Sequence, residues 1–281
     1  MTHEKPDPGF ALFQSATEEA LDCLSRKLAA DTHVHTARKA IKRARAGLRL
    51  MRPTLPPSVF DRENRTLRDA GACLSPFRDA QARVDAAALV EGKIGDAKTV
   101  RAGLAILRQA LNARLIQARK SLASTDVRMQ SASLIRQSRK RLEDSQRTAR
   151  KATSVRALRK IYRKARKTFA LTRDATTPAN LHELRKQCKY LHGAADALRA
   201  AGMRHLGRVI VRTRDIVDWL GDDHDLVVLT GEIRKTRING VASSALLEAV
   251  ANLRKDLERK ALDRAEPLLR KSPKRFAARL A

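Results

Sequence analysis

The sequence predicts an all-α fold made of two related halves, and three observations carry that prediction. Composition is the first: Ala, Leu, Arg and Lys abound while 281 residues hold only 12 glycines and 9 prolines, a mix that favours helix. The second is periodicity, with apolar residues recurring at steps of three and four, the spacing of one helix face. The third is repetition: two blocks of residues recur 147 and 146 positions further on. A chain of this length can bury a sizeable core, either as one helical domain or as two halves.

Phe10 to Ala29 reads as a first amphipathic helix. Val34 to Arg52 reads as the second, closed by Pro53 and the Pro56-Pro57 pair. Its apolar stripe is Val34, Ala37, Ile41, Ala44, Leu48 and Met51; His35, Arg38, Lys42, Arg45, Arg49 and Arg52 follow one residue behind. One residue is about 100° of rotation, so these cations border the core face instead of opposing it. Like charges spaced this way destabilise a helix modestly, and a bound polyanion would offset that.

Ser58 to about Ala72 is the next helix, and Ser75-Pro76, an N-cap followed by a first-turn proline, opens another to about Glu91. From Ala97 to Leu122, a long stripe runs through Val100, Leu104, Leu107, Leu111, Leu115, Ala118 and Leu122. Residues 128–170 hold 15 Lys+Arg against 2 Asp+Glu, and the first part of that segment fits a solvated linker. The second part is a helix, with Val155, Leu158, Tyr162, Ala165 and Phe169 shadowed by Arg156, Arg159, Arg163 and Arg166. Thr177-Pro178 opens a helix to Ala201 that Gly202 ends. Residues 203–220 and 223–237 read as two helices parted by Gly221 and Asp222, with both Asp222 and Asp223 expected as N-caps. A last helix spans Val241 to about Arg264, and the basic tail beyond Pro267 reads as a frayed end.

The Val34 helix has a second copy. Leu181, Leu184, Cys188, Leu191, Ala195 and Leu198 match its apolar stripe, and His182, Arg185, Lys189, His192 and Arg199 match its basic one, with Asp196 the only break. HxxRKxxK therefore occurs at 35–42 and at 182–189. Arg68-Asp69, Leu74 and Arg78-Asp79 recur as Arg214-Asp215, Leu220 and His224-Asp225. Halves related in this way commonly pack about a pseudo-two-fold axis, which would set two cationic shoulders on one groove.

Charge narrows the partner. Lys+Arg 59 against Asp+Glu 30 leaves a net +29 and a pI near 11.2, which predicts capture of an anion. Aromatics are 3% of residues, too few to stack many bases, so phosphate charge is favoured over base reading. Cys23, Cys73 and Cys188 are odd in number, far apart and set among apolar residues, as expected of reduced core thiols. The polar start MTHEKPDPGF and the lack of a 20-residue apolar run predict a soluble, cytoplasmic protein without signal peptide or membrane span.

HxxRKxxKxxR followed by LSPFRDA, then LHELRKQCKYL followed by LGDDHDLVVL, resembles the CHAD family (conserved histidine α-helical domain) over about residues 10–260. The resemblance implies two pseudo-symmetric four-helix bundles around a basic groove, with repeats at about 10–125 and 150–264 and a basic tail at 265–281. It also implies a single domain that binds inorganic polyphosphate, and it leaves targeting to polyphosphate granules open. CHAD domains are often fused to a CYTH-type triphosphatase, and nothing like its glutamate-rich strands is present in this chain. On that reading the groove is lined by His35, Arg38, Lys39, Lys42, Arg45, Arg49, Arg78, His182, Arg185, Lys186 and Lys189, with Arg163, Arg166 and Arg214 as outer contacts. Asp79 and Asp225 would orient those cations.

Other chemistries are less well supported. His33, His35, His182 and His224 lack any short metal-ligand spacing and stand among cations, so no metal and no cofactor is expected. A polyphosphate or nucleotide phosphohydrolase would need a P-loop, a metal-binding carboxylate pair or a Ser–His–Asp set, and none is visible. A general nucleic-acid binder rests on charge alone. The expectation is a binding protein, not an enzyme.

Overall fold

The computed structural model describes residues 7–26, 31–93, 98–123, 125–144, 151–278 and 280. Ala29 and Ala97, named above as helix ends, and positions 279 and 281 of the tail fall outside these residues, as does the side chain of Leu122. The described chain is all-helical: α1 Pro8–Ser25, α2 Asp31–Met51, α3 Pro57–Cys73, α4 Ser75–Glu91, α5 Lys98–Ala123, α6 Thr125–Glu143, α7 Lys151–Asp174, α8 Pro178–Ala200, α9 Gly207–Lys235, α10 Gly240–Leu269 and α11 Pro273–Ala278. Among the described residues no helix is long and apolar enough to cross a membrane.

Three apolar clusters hold the helices together. α1, α2, α3 and α6 enclose the first, with Phe13, Leu48, Leu67 and Ile135 fully buried. α7, α8, α11, the start of α9 and the end of α10 enclose the second, around Tyr162, Leu184, Leu191 and Ile216. Ala46 and Leu50 of α2 also pack into this second cluster, joining the first half of the chain to α8. The third mixes the halves, with Ala87 of α4, Leu107 of α5, Leu229 of α9 and Leu246 of α10.

Helix ends follow the sequence with informative departures. Thr177 caps α8 by accepting from the Asn180 amide, and Gly202 takes φ 91° just past its end. Ser75 does not cap α4. It is the first helical residue after Leu74, and its Oγ faces the Gly71 carbonyl at 3.4 Å. The expected break at Gly221-Asp222 is absent, since α9 runs unbroken from Gly207 to Lys235. A helical glycine costs about 1 kcal/mol, and here packing overrides it: Leu220 and Leu226 are buried, and Asp223 accepts from Arg254 Nε at 2.7 Å. Asp223 is therefore a buried ion-pair partner and Asp222 a mid-helix residue; neither is an N-cap. The first half does break at the equivalent place, Leu74, two residues before Pro76.

The tail beyond Pro267 is docked, not frayed. α10 continues to Leu269, and Phe276 of α11 stacks on Tyr162 with ring centroids 3.9 Å apart. The Tyr162 hydroxyl reaches the carbonyls of Leu268 at 3.0 Å and Lys271 at 2.9 Å. The segment expected as a linker is also ordered in part, since α6 buries Ser131, Ala132, Ile135 and Leu142.

Candidate functional site

α2 and α8 touch at Ala46 and Gly193, where a Cβ on the glycine would stand 2.6 Å from that of Ala46. One turn earlier stand Lys42 and Lys189, and one turn earlier again Arg38 and Arg185. The charges of Arg38, Arg185 and Arg78 all act on Lys42, and those of Arg185, Lys42 and Arg38 act on Lys189. The second copy of the motif therefore faces the first across a trough, with Arg78 of α4 and Asp225 of α9 on its walls. Lys42 is exposed and Lys189 half-buried.

The two arginines are seated alike. Arg38 Nη1 donates to the Gly71 carbonyl at 3.1 Å and to Ser75 Oγ at 2.6 Å. Arg185 Nε donates to the Val217 carbonyl at 3.3 Å, and its Nη2 lies where a Cβ on Gly221 would be, 2.8 Å away. Gly71 and Ser75 correspond to Val217 and Gly221 under the 146-residue offset. Arg38 Nε is buried with no hydrogen-bond partner.

Elsewhere in the molecule arginines find carboxylates. Arg141 grips buried Glu63 with two bonds, Arg264 pairs with Asp215, and Arg83 and Arg114 share Glu232. Among the described residues Arg38, Lys42, Arg185 and Lys189 have no carboxylate within 4.0 Å. Asp79 acts on Arg38, and Asp225 on Arg185, Lys42 and Lys189, across space and without a direct ion pair.

Burial, then like charge, depresses the ammonium groups: Lys42 falls to about 8 and Lys189 to about 7. Burial also lowers Arg38 and Arg185. His35 is lowered by burial and by Lys39, Arg78 and Lys42. His182 is lowered by burial and then by His224, whose ring centroid lies 4.8 Å away at a 49° tilt. Burial raises Asp225 despite the cations around it. Each of these shifts opposes net charge in a crowded site, and an arriving anion would reverse those of the cations.

The other expected residues divide. Arg45 and Arg49 are held by Asn64 Oδ1 at 3.1 and 3.4 Å, and the Arg49 guanidinium lies 3.5 Å over the Tyr190 ring, bridging α2 to α8. Burial lowers Arg49 to about 10. Lys186 pairs with Glu183 and faces a side cleft of about 730 Å3 bordered by Arg49, Arg52, Lys160, Lys164 and Tyr190. Lys39 is exposed beside His35. Arg78 lies 3.1 Å from Asp85. Arg163 and Arg166 are exposed on α7, turned away from its buried face, and Arg214 is exposed 3.9 Å from Asp215. A hollow of about 570 Å3 between α4 and α5, beside Glu91 and Arg108, is lined by none of the trough residues.

Sequence reasoning missed Ser75, Gly221, Tyr190, Asn64 and His224 as parts of this neighbourhood. The offset that aligns Arg38 with Arg185 also aligns Ser75 with Gly221, which was the available signal. Among the described residues no group of three or more His, Cys, Asp or Glu could hold a metal ion.

Fold and site together define an all-helical protein in which, among the described residues, Arg38, Lys42, Arg185 and Lys189 converge without a carboxylate in ion-pair distance. The chain belongs to the CHAD family: the family's domain model matches residues 11–234. Its fold is similar to the crystal structure of the CHAD domain from the plant Ricinus communis, with a TM-score of 0.64 and 16% identity over 97% of this chain and 95% of that one. No curated protein matches the chain.

Proposed function

We propose that the trough between α2 and α8 binds inorganic polyphosphate without catalysis. The observation that carries this reading is the set Arg38, Lys42, Arg185 and Lys189, converging from both motif copies with no carboxylate in ion-pair distance among the described residues. A linear chain with one negative charge per phosphate unit meets that need with neither bases to stack nor sugars to seat. Arg supplies a planar fork and Lys a mobile point charge, and His35 and His182 stand at the rim to donate once protonated. Asp79 and Asp225 temper the cations without neutralising them. The affinity comes from charge neutralisation with counterion release, so it falls steeply with salt. On this reading the protein gathers wherever polyphosphate does, granules included.

The test is competition between long-chain polyphosphate and duplex DNA of equal phosphate content at two salt concentrations. Polyphosphate should win at both, and Arg38→Glu with Arg185→Glu should abolish its binding while helicity is unchanged. DNA competing equally at both salts, or full affinity in the double variant, would overturn the reading. Steady phosphate release from polyphosphate with Mg2+, lost in Asp79→Ala, would replace it with catalysis.

A further inference from the structure

α7 carries a second set of cations on the side away from its buried face, although one of them, Lys160, also borders the side cleft with Arg49 and Lys186. Ala157, Leu158, Ile161, Tyr162, Ala165 and Phe169 point from α7 into the core. Directly opposite, at steps of four, three and four, stand Arg156, Lys160, Arg163 and Lys167, all exposed. This ridge is about 16 Å long at the helical rise. Spacing of this kind between like charges weakens a helix.

Another long surface helix handles its cations differently. On α10, Arg259 and Lys260 both reach Asp256 at 2.6 Å, and Arg254 binds Asp223 and Glu258. α7 has one acid, Asp174, at its last position. Among the described residues no carboxylate lies within 4.0 Å of any of the four ridge cations. The ridge is thus as unneutralised as the trough, and Arg156, Arg163 and Lys167 face away from the core that α7 shares with α8.

We infer that the α7 ridge holds a second polyphosphate strand, so that one molecule cross-links two chains. The inference rests on the trough reading. α8, one wall of the trough, packs on α7's buried face, across from Arg156, Arg163 and Lys167. With Tyr162 and Phe169 both buried, the ridge offers no aromatic surface to a base, which favours a bare phosphate chain over nucleic acid. A network already held in the troughs raises the local concentration of further strands, so weak ridge contacts suffice.

The experiment mixes the full chain with two populations of long-chain polyphosphate, one labelled with a donor fluorophore and one with an acceptor. Energy transfer reports bridging, and calorimetric titration with short-chain polyphosphate reports trough affinity. Arg156→Gln and Lys167→Gln together should lower bridging at least tenfold and change short-chain affinity less than threefold. Arg234→Gln and Lys235→Gln, the same charge change at the exposed end of α9, should leave bridging near wild type. Equal loss in both double variants makes bridging a matter of net charge and overturns the inference. So does a ridge variant with weakened long-chain affinity but intact bridging, which would mean the ridge only extends one strand's path. Duplex DNA that abolishes bridging while the short chain stays bound would assign the ridge to nucleic acid instead. If wild type binds no short chain, the trough reading falls first and takes this inference with it.

Discussion

Gly193 of α8 lies against Ala46 of α2 so closely that a Cβ on the glycine would stand 2.6 Å from the alanine's own. These residues are repeat mates, 147 positions apart. Their contact sets the spacing of everything one and two turns before it, namely Lys42 with Lys189 and Arg38 with Arg185. The cations converge because small residues let the two helices meet.

Gly193→Val should therefore act at a distance. Real Cβ atoms do not approach to 2.6 Å, so α2 and α8 must part. Overpacking of this kind costs roughly 1–3 kcal/mol, measurable as a lower urea midpoint. Polyphosphate affinity should fall in the same variant, although no cation has changed. Adding Ala46→Gly should restore both in part, giving a coupling that two independent sites would lack.

Gly221→Ala should separate stability from binding. Its Cβ would lie 2.8 Å from Arg185 Nη2, the far end of a flexible side chain that can yield. The helix gains up to about 1 kcal/mol from the substitution, while the guanidinium loses its seat. Equilibrium denaturation should show a protein at least as stable as wild type, and titration should show affinity reduced about tenfold, or about 1.4 kcal/mol. Unchanged affinity would mean that Arg185 need not lie where Gly221 admits it.

Both cationic helices were legible because their charges keep helical spacing beside an apolar stripe that is itself easy to read. Arg38 and Arg185 announced themselves twice, at one offset. The role of Gly221 was not legible, because a glycine in isolation reads as a breaker. Only the approach of Arg185 from another helix makes it a seat, and only the burial of Leu220 and Leu226 keeps α9 whole across it. The tail reads as frayed for a similar reason: Phe276 gains its partner from Tyr162, more than a hundred residues earlier. Arg49 carried the same pattern as Lys42, yet its stacking on Tyr190 and its bond to Asn64 bind it into the framework. Spacing along one helix says which residues share a face, not which neighbour claims them.

Glu63 tests the framework apart from the trough. It is fully buried between α3 and α6, where Arg141 grips both oxygens at 2.8 and 2.9 Å and Arg62 reaches it at 2.6 Å. Burial alone would raise its pKa, but the hydrogen bonds from Arg141 and Arg62 outweigh it and hold the carboxyl below its ordinary value. Arg62 and Arg141 keep contact with water, so removing the carboxylate strands no buried charge and costs about 1.5–3 kcal/mol in lost charged hydrogen bonds. Glu63→Ala should lose stability on that scale in a denaturant titration. Because the folded value is depressed, the stabilisation is present above the ordinary carboxylate range and lost as pH falls through the folded value.

The trough lysines make the opposite prediction at the alkaline end. Lys189 at about 7 and Lys42 at about 8 lie well below the ordinary 10.5. Burial is the largest cause for both, followed by the charges of Arg38, Arg185 and, for Lys42, Arg78, with Asp225 opposing. Between the folded and ordinary values the unfolded chain binds more protons, so a rise in pH favours the fold. Stability of the unbound protein should climb from pH 7 to about 9, above which buried Cys188, its thiol pushed up to about 12, begins to act the other way. A polyphosphate strand favours both ammonium forms and restores their values. Binding at pH 8 should therefore take up protons, seen as a titration enthalpy that varies with the ionisation enthalpy of the buffer. Lys189→Arg, which keeps the charge but stays protonated throughout, should reduce that uptake while leaving most of the affinity. An enthalpy at pH 8 that is the same in every buffer would mean that the strand does not lie against these two lysines.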